Sequence, residues 1–126
     1  MADIYTREDL LEIYKNPMHR AKIKSPTVST SVRNEMCGDS LDLELQFAEG
    51  KLIDAGFTGD SCAVSIIAAS LVLDFLIGRS ISEIRSFTKN DILDLLSIDL
   101  TTSRVKCATL ILDALQVALQ SYDKKD

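Results

Sequence analysis

The sequence predicts an α+β domain in which a small three-stranded antiparallel sheet carries helices packed on one face. Three observations point there. Three consecutive segments between residues 28 and 57 alternate apolar and polar residues with period two, the mark of strands with one buried face. After Gly59 the alternation gives way to apolar residues at helical spacing or running all round. A short helical pattern precedes the strands. Helix, strands, then helices only is the order of an α+β chain rather than of alternating βα units.

The elements follow in order. Thr6 to Lys15 reads as a first helix, with Thr6 as cap, Asp9 at the third position of an approximate capping box, and Leu10, Leu11 and Tyr14 on one face. Asn16-Pro17 stops it, because the residue before proline avoids the helical region. A polar connector runs from Met18 to Pro26. Val28, Thr30, Val32 and Met36 trace a first strand. Leu41, Leu43, Leu45 and Phe47 alternate with Asp42, Glu44 and Gln46 in a second. Glu49-Gly50 supplies a turn, and Ile53, Ala55 and Phe57 define a third strand. Cys62 to Ile77 is apolar nearly all round, with small residues Ala63, Ser65, Ala68, Ala69 and Ser70. That suggests a helix held tightly in the core and ended by Gly78. Ser80 and Glu83 form a capping box for a short helix, Ile81 to Phe87. Asn90 to Ser97 reads as another. Thr101-Thr102-Ser103 offers caps for a last helix, apolar along Val105, Ala108, Leu112, Leu115 and Leu119 as far as Tyr122. Leu71, Leu73 and Leu112 are expected in the core. Lys124-Lys125-Asp126 reads as a frayed tail.

Composition sets the bounds. The 126 residues suggest one domain spanning 1–126, large enough to fold without staples. Hydrophobic residues at 46% and charged residues at 26% describe a globular chain, not a disordered one. Fourteen Lys and Arg against 19 Asp and Glu leave a net charge of −5. Such a chain lacks the clustered cations that general nucleic-acid binding needs. The longest apolar run, Ala63 to Leu73, is interrupted by Ser65 and Ser70 and is too short to span a bilayer. The N-terminal residues have neither a basic region nor an apolar stretch of the secretory kind, so the expected location is the cytoplasm.

Three cysteines are an odd number, and a cytosolic chain keeps them reduced. Cys37 sits beside Gly38 and Asp39 at a break between strands. Cys62 opens the buried helix. Cys107 follows Arg104-Val105-Lys106 in the first turns of the last helix. All three fall at element boundaries, where helix N-termini and cationic neighbours favour thiolates. One reading is that all are small buried hydrophobes. The other is chemical. Three thiolates and the Asp39 carboxylate match the donor set of a tetrahedral zinc site, and a [2Fe–2S] cluster also needs four protein ligands. No Cys-x-x-Cys pair is present. His19, the single histidine, lies in the polar connector and reads as a solvated surface residue; Ser65 and Ser70 read as bonding back to carbonyls of their own helix. Asp39 by itself reads as a turn residue.

At these residues the chain resembles the iron–sulfur cluster assembly scaffolds of the IscU, SufU and NifU N-terminal type. Cys37-Gly38-Asp39 matches the family's first site. Phe57-Thr58-Gly59-Asp60-Ser61-Cys62-Ala63-Val64-Ser65 with Ala68-Ala69-Ser70 resembles its second, though Ser61 replaces the usual glycine and the second serine is displaced. Arg104-Val105-Lys106-Cys107-Ala108-Thr109-Leu110 with Ala114-Leu115 resembles its third, and Tyr14-Lys15-Asn16-Pro17 its N-terminal helix ending. The resemblance implies a SufE/NifU-like α+β fold. It implies Cys37, Asp39, Cys62 and Cys107 as ligands of a transient iron–sulfur cluster or of Zn2+. It implies a cysteine desulfurase that delivers persulfide sulfur to Cys37, Cys62 or Cys107, and apo iron–sulfur or carrier proteins that receive the product. The function implied is assembly and transfer of clusters, a scaffold and not an enzyme. The alternative is a zinc-containing sulfur acceptor of the SufU kind. Branch features are mixed. Lys106 stands where the IscU branch has histidine, and Leu100-Thr101-Thr102-Ser103-Arg104 replaces its Leu-Pro-Pro-Val-Lys motif. The stretch from Cys62 to Cys107 is too short for the SufU insertion. Lys106 leans toward the acceptor, because an ammonium group is no usual metal ligand yet can steer an anionic persulfide.

Overall fold

The computed structural model describes residues 8–34, 38–96 and 102–124. The order is α1 (Glu8–Lys15), β1 (Val28–Asn34), β2 (Asp39–Ala48), β3 (Lys51–Thr58), α2 (Ala63–Leu76), α3 (Ile81–Arg85), α4 (Lys89–Leu96), α5 (Thr102–Ala108) and α6 (Leu110–Lys124). The expected cap Thr6, the strand residue Met36 and the tail residues 125 and 126 lie outside the described residues.

The sheet has the expected form, order β1-β2-β3 with both pairs antiparallel. Its core face is written in the parity of β2: Asp39, Leu41, Leu43, Leu45 and Phe47 are buried and the residues between them are not. Glu49 and Gly50 take φ of 54° and 76°, so a two-residue turn of the I′ type joins β2 to β3 with the twist a hairpin needs. One expectation fails in β3. Gln46 pairs with Asp54 but Phe47 pairs with Leu52, leaving Ile53 without a partner. This bulge resets the parity, so Leu52 is buried and Ile53 is 48% exposed.

The helices fill the face that the leucines present. α6 lies along β1 and β2, and α2 runs through the middle, packed against β3, α1, α4, α5 and α6. The apolar circumference of α2 is thereby explained: ten of its 14 residues are buried. Leu73 is fully buried as expected, whereas Leu71 and Leu112 are partly buried at the rim of the core. α3 starts with the expected capping box, the Ser80 and Glu83 side chains each accepting the other's backbone N–H. Thr88 and Asp91 repeat the device on α4.

The connector at residues 16–27 does more than its polarity suggests. The His19 carbonyl accepts the Phe57 N–H along the outer edge of β3, and the Ile23 N–H is donated to the Glu44 side chain on the sheet face away from the helices. Gly56 makes room for it, since any side chain there would run into the Ala21 carbonyl. His19 lies at the surface, as expected, with its side chain 22% exposed. It holds φ of 66°, and its Nε2 lies 3.2 Å from the Asp74 carboxylate on α2.

The last helix also departs from expectation. It is broken at Thr109 into α5 and α6. The Thr109 hydroxyl is donated to the Lys106 carbonyl at 3.3 Å, and the Ser65 hydroxyl lies 2.9 Å from the Cys107 carbonyl. Side chains inserted at two consecutive carbonyls are a recognised cause of a break in the helical ladder.

Candidate metal centre

The site is assembled where the start of β2, the N-terminus of α2 and the end of α5 meet. Gly38, with φ of 73°, turns the chain into β2. Ser40 then fastens the start of β2 to the loop before α2. Its N–H is donated to the Asp60 carbonyl at 2.7 Å, and its own carbonyl accepts the Ser61 hydroxyl at 2.7 Å. Gly59, with φ of 124°, permits this approach, because a side chain there would strike the Ser40 carbonyl.

Asp39 is consequently a strand residue, not merely a turn residue. It shares the parity of the buried leucines and is 5% exposed. A buried carboxylate needs donors, and it has them. Oδ1 accepts the Cys62 N–H at 3.2 Å, and Oδ2 lies 2.9 Å from the Ser65 hydroxyl. Cys62 is the N-cap residue of α2 and its own side chain makes no capping bond. Asp39 supplies that function from β2, placing negative charge at the positive end of the helix.

Cys107 approaches from the other side. It lies in the last turn of α5, at the break and not in the first turns of a long helix, and is 7% exposed. The helix-start argument thus applies to Cys62 and not to Cys107. The Cys62 and Cys107 sulfurs and an Asp39 carboxylate oxygen all lie within 4.8 Å of one another. Donors on a tetrahedral zinc ion stand about 3.8 Å apart, given Zn–S bonds of about 2.3 Å. A closure of about an ångström would bring these three to bonding distance, so the donor set fits a metal of this kind. Neither cysteine is in a disulfide. Lys106 is exposed on α5 beside Cys107. Cys37 lies outside the described residues.

The residue that sequence reasoning misread is Ser65. It is 2% exposed, and its hydroxyl reaches across to Asp39 and to the Cys107 carbonyl instead of bonding back along α2. The Cys62 sulfur is 3.6 Å from the same oxygen. The spacing Cys62-x-x-Ser65, one helical turn, was the available signal. Ser70 makes no back-bond either: its hydroxyl is buried and has no partner among the described residues.

Two other features mark the surface. A groove of about 410 Å³ lies between α2, α3 and α4, lined by Phe75, Arg79, Phe87, Asp91 and Asp94 among others. No described helix is long and apolar enough to cross a membrane.

Comparison with known proteins places this arrangement. Residues 5–126 match the family described as NifU-like N terminal domain. The iron-sulfur cluster assembly enzyme IscU of Drosophila melanogaster is 33% identical over 122 residues, covering 94% of this chain and 78% of that protein. The zinc-dependent sulfurtransferase SufU of Bacillus subtilis is 27% identical over 131 residues, covering 90% and 88%. A crystal structure from Fervidobacterium islandicum, described as a putative iron-sulfur cluster assembly scaffold protein for the SUF system, superposes with a TM-score of 0.76. That superposition covers 90% of this chain and 95% of the other at 24% identity, and shows the shared fold.

Proposed function

Because this chain belongs to the NifU-like N terminal domain family, we propose that it is a scaffold on which iron–sulfur clusters are built and from which they pass to apo-proteins. The observation that carries this reading is the convergence of Asp39, Cys62 and Cys107 within 4.8 Å. Cys37, tethered to Asp39 through Gly38, completes a set of four ligands. The whole of residues 1–126 acts as one scaffold domain in the cytoplasm.

Iron and sulfide are the cargo. Sulfur arrives from a cysteine desulfurase as a persulfide. A scaffold thiolate attacks the terminal sulfur, the S–S bond of the persulfide breaks, the desulfurase departs as a thiolate, and the sulfur now rests on the scaffold as a persulfide. An external two-electron reductant then breaks that S–S bond, returning the scaffold thiolate and leaving sulfide for iron. Soft thiolates hold the cargo, while the harder Asp39 carboxylate is the weak ligand that allows release. The burial of Asp39 and Cys107 limits access of water to the site.

A second reading is a zinc-bound sulfur acceptor, with one thiolate displaced from zinc to take up sulfur. Lys106, exposed beside Cys107, favours it by offering a cation to an incoming persulfide. The Bacillus subtilis relative is named for such an activity. Metal and acid-labile sulfide analysis of protein purified without oxygen separates the two. Iron with sulfide supports the scaffold; zinc at one per chain without sulfide supports the acceptor. Neither metal in the purified protein, and none taken up on reconstitution, would overturn both.

A further inference from the structure

Ser65 touches all three residues that bring a described donor to the site. Its hydroxyl oxygen is 2.9 Å from Asp39 Oδ2, 2.9 Å from the Cys107 carbonyl and 3.6 Å from the Cys62 sulfur. A hydroxyl has one proton, and an ionised carboxylate and a carbonyl can only accept. The two 2.9 Å contacts therefore compete for that proton. A serine at 2% exposure that served packing alone would need one acceptor.

We propose that Ser65 is a positioning residue whose hydroxyl swings between Asp39 and the Cys107 carbonyl as metal enters and leaves. With the site empty, it holds the carboxylate turned toward Cys62 and Cys107, sharing that task with the Cys62 N–H on Oδ1. When Asp39 turns onto a metal, the proton moves to the Cys107 carbonyl, already in range, so no buried donor is orphaned. When the cargo leaves, Ser65 recaptures the carboxylate. A hydrogen bond that the carboxylate makes only while it is off the metal competes with ligation, so it loosens binding by about what the bond is worth and eases release.

This inference rests on the ligand reading above. It is tested with Zn2+ as the probe, by competition against a chromophoric chelator, in wild type, Ser65→Ala, Asp39→Ala and the double variant. Ser65→Ala should bind zinc about 3- to 10-fold more tightly, having lost the partner that draws Asp39 off the metal. In the Asp39→Ala background the same change should shift affinity by no more than about twofold, because the residue through which it acts is gone. Ser65→Thr, which keeps the hydroxyl on the first turn of α2, should restore affinity to near wild type and guards against a folding defect in the alanine variant. Weaker zinc binding by Ser65→Ala, or an equal change in both backgrounds, would make Ser65 a packing residue and overturn the proposal. So would tight zinc binding by wild type with Ser65→Ala unchanged, an outcome that leaves the ligand reading standing. A wild type that binds no zinc would sink the ligand reading and this one together.

Discussion

Asp39 has one duty in the structure and a second under the proposed function, and the two pull against each other. It is a capping group, taking the Cys62 N–H and the Ser65 hydroxyl. As a proposed metal ligand it would be the one oxygen donor among thiolates. A ligand that has protein partners to return to is easier to detach than one that has none. Asp39→Cys separates the duties. Cysteine accepts hydrogen bonds weakly, so the empty variant should lose about 1–3 kcal/mol of stability from the buried donors it leaves behind. The loaded variant should surrender its cargo more slowly, because four thiolates hold a soft metal more firmly. Both proteins can be loaded without oxygen and transfer to an apo-ferredoxin followed by circular dichroism, normalised to cluster content. Equal or faster transfer from the variant would reduce Asp39 to its capping role. That role was hidden in the sequence by one decision, where the second strand begins. Taken from Leu41, Asp39 is a turn residue; taken from Asp39, it shares the face of the leucines.

Among the elements, those set by local chemistry were legible and those set by contacts across the fold were not. The alternation of β2, the Glu49-Gly50 turn and the Ser80 capping box are each complete within a few residues. The bulge at Ile53 and the break at Thr109 are not. The first answers the register with β2, and the second accompanies a hydroxyl arriving from α2. The connector's polarity was legible and its contacts were not, its backbone being spent on the edge and far face of the sheet. The capping box of α3 permits a test at this scale. The Glu83 carboxyl is held below its usual range by the Ser80 N–H, then by the Arg79 guanidinium and the Ser80 hydroxyl. A depressed carboxyl stabilises the fold above its unfolded value of 4.5 and loses that contribution as pH falls through the lower folded value. Glu83→Gln should therefore lower the melting temperature at pH 7, with the gap to wild type closing below about pH 4. A gap that stays constant with pH would show that the charge contributes nothing.

At the scale of the whole molecule, the core and the site are built from the same elements but do not depend on the same forces. The buried cluster joins the core face of the sheet to α2, α4 and α6, and its largest members, among them Phe57, Leu43, Ile67 and Leu73, are carbon throughout their side chains. The proposed metal ligands come from the tips of β2, α2 and α5, with Cys107 part of the cluster and Cys62 packed against it. A chain of 126 residues buries enough surface to fold on such a core. This matters for the proposed cycle. Where metal supplies the folding energy, as in small zinc domains, giving up the metal unfolds the chain. A scaffold that must empty and refill needs a fold that survives the empty state. The metal-free protein should accordingly melt in one cooperative transition. Zinc at 100 times its dissociation constant should add about 2.7 kcal/mol by mass action, or roughly 10 °C in a domain of this size. Cys62→Ser should melt near the metal-free wild type and lose most of the zinc-dependent rise, since it removes a ligand from the rim and little from the core. Differential scanning calorimetry with and without zinc reads all of this. A metal-free protein with no cooperative transition would mean that the site holds the fold together, and release of cargo would then require a partner to hold the emptied chain.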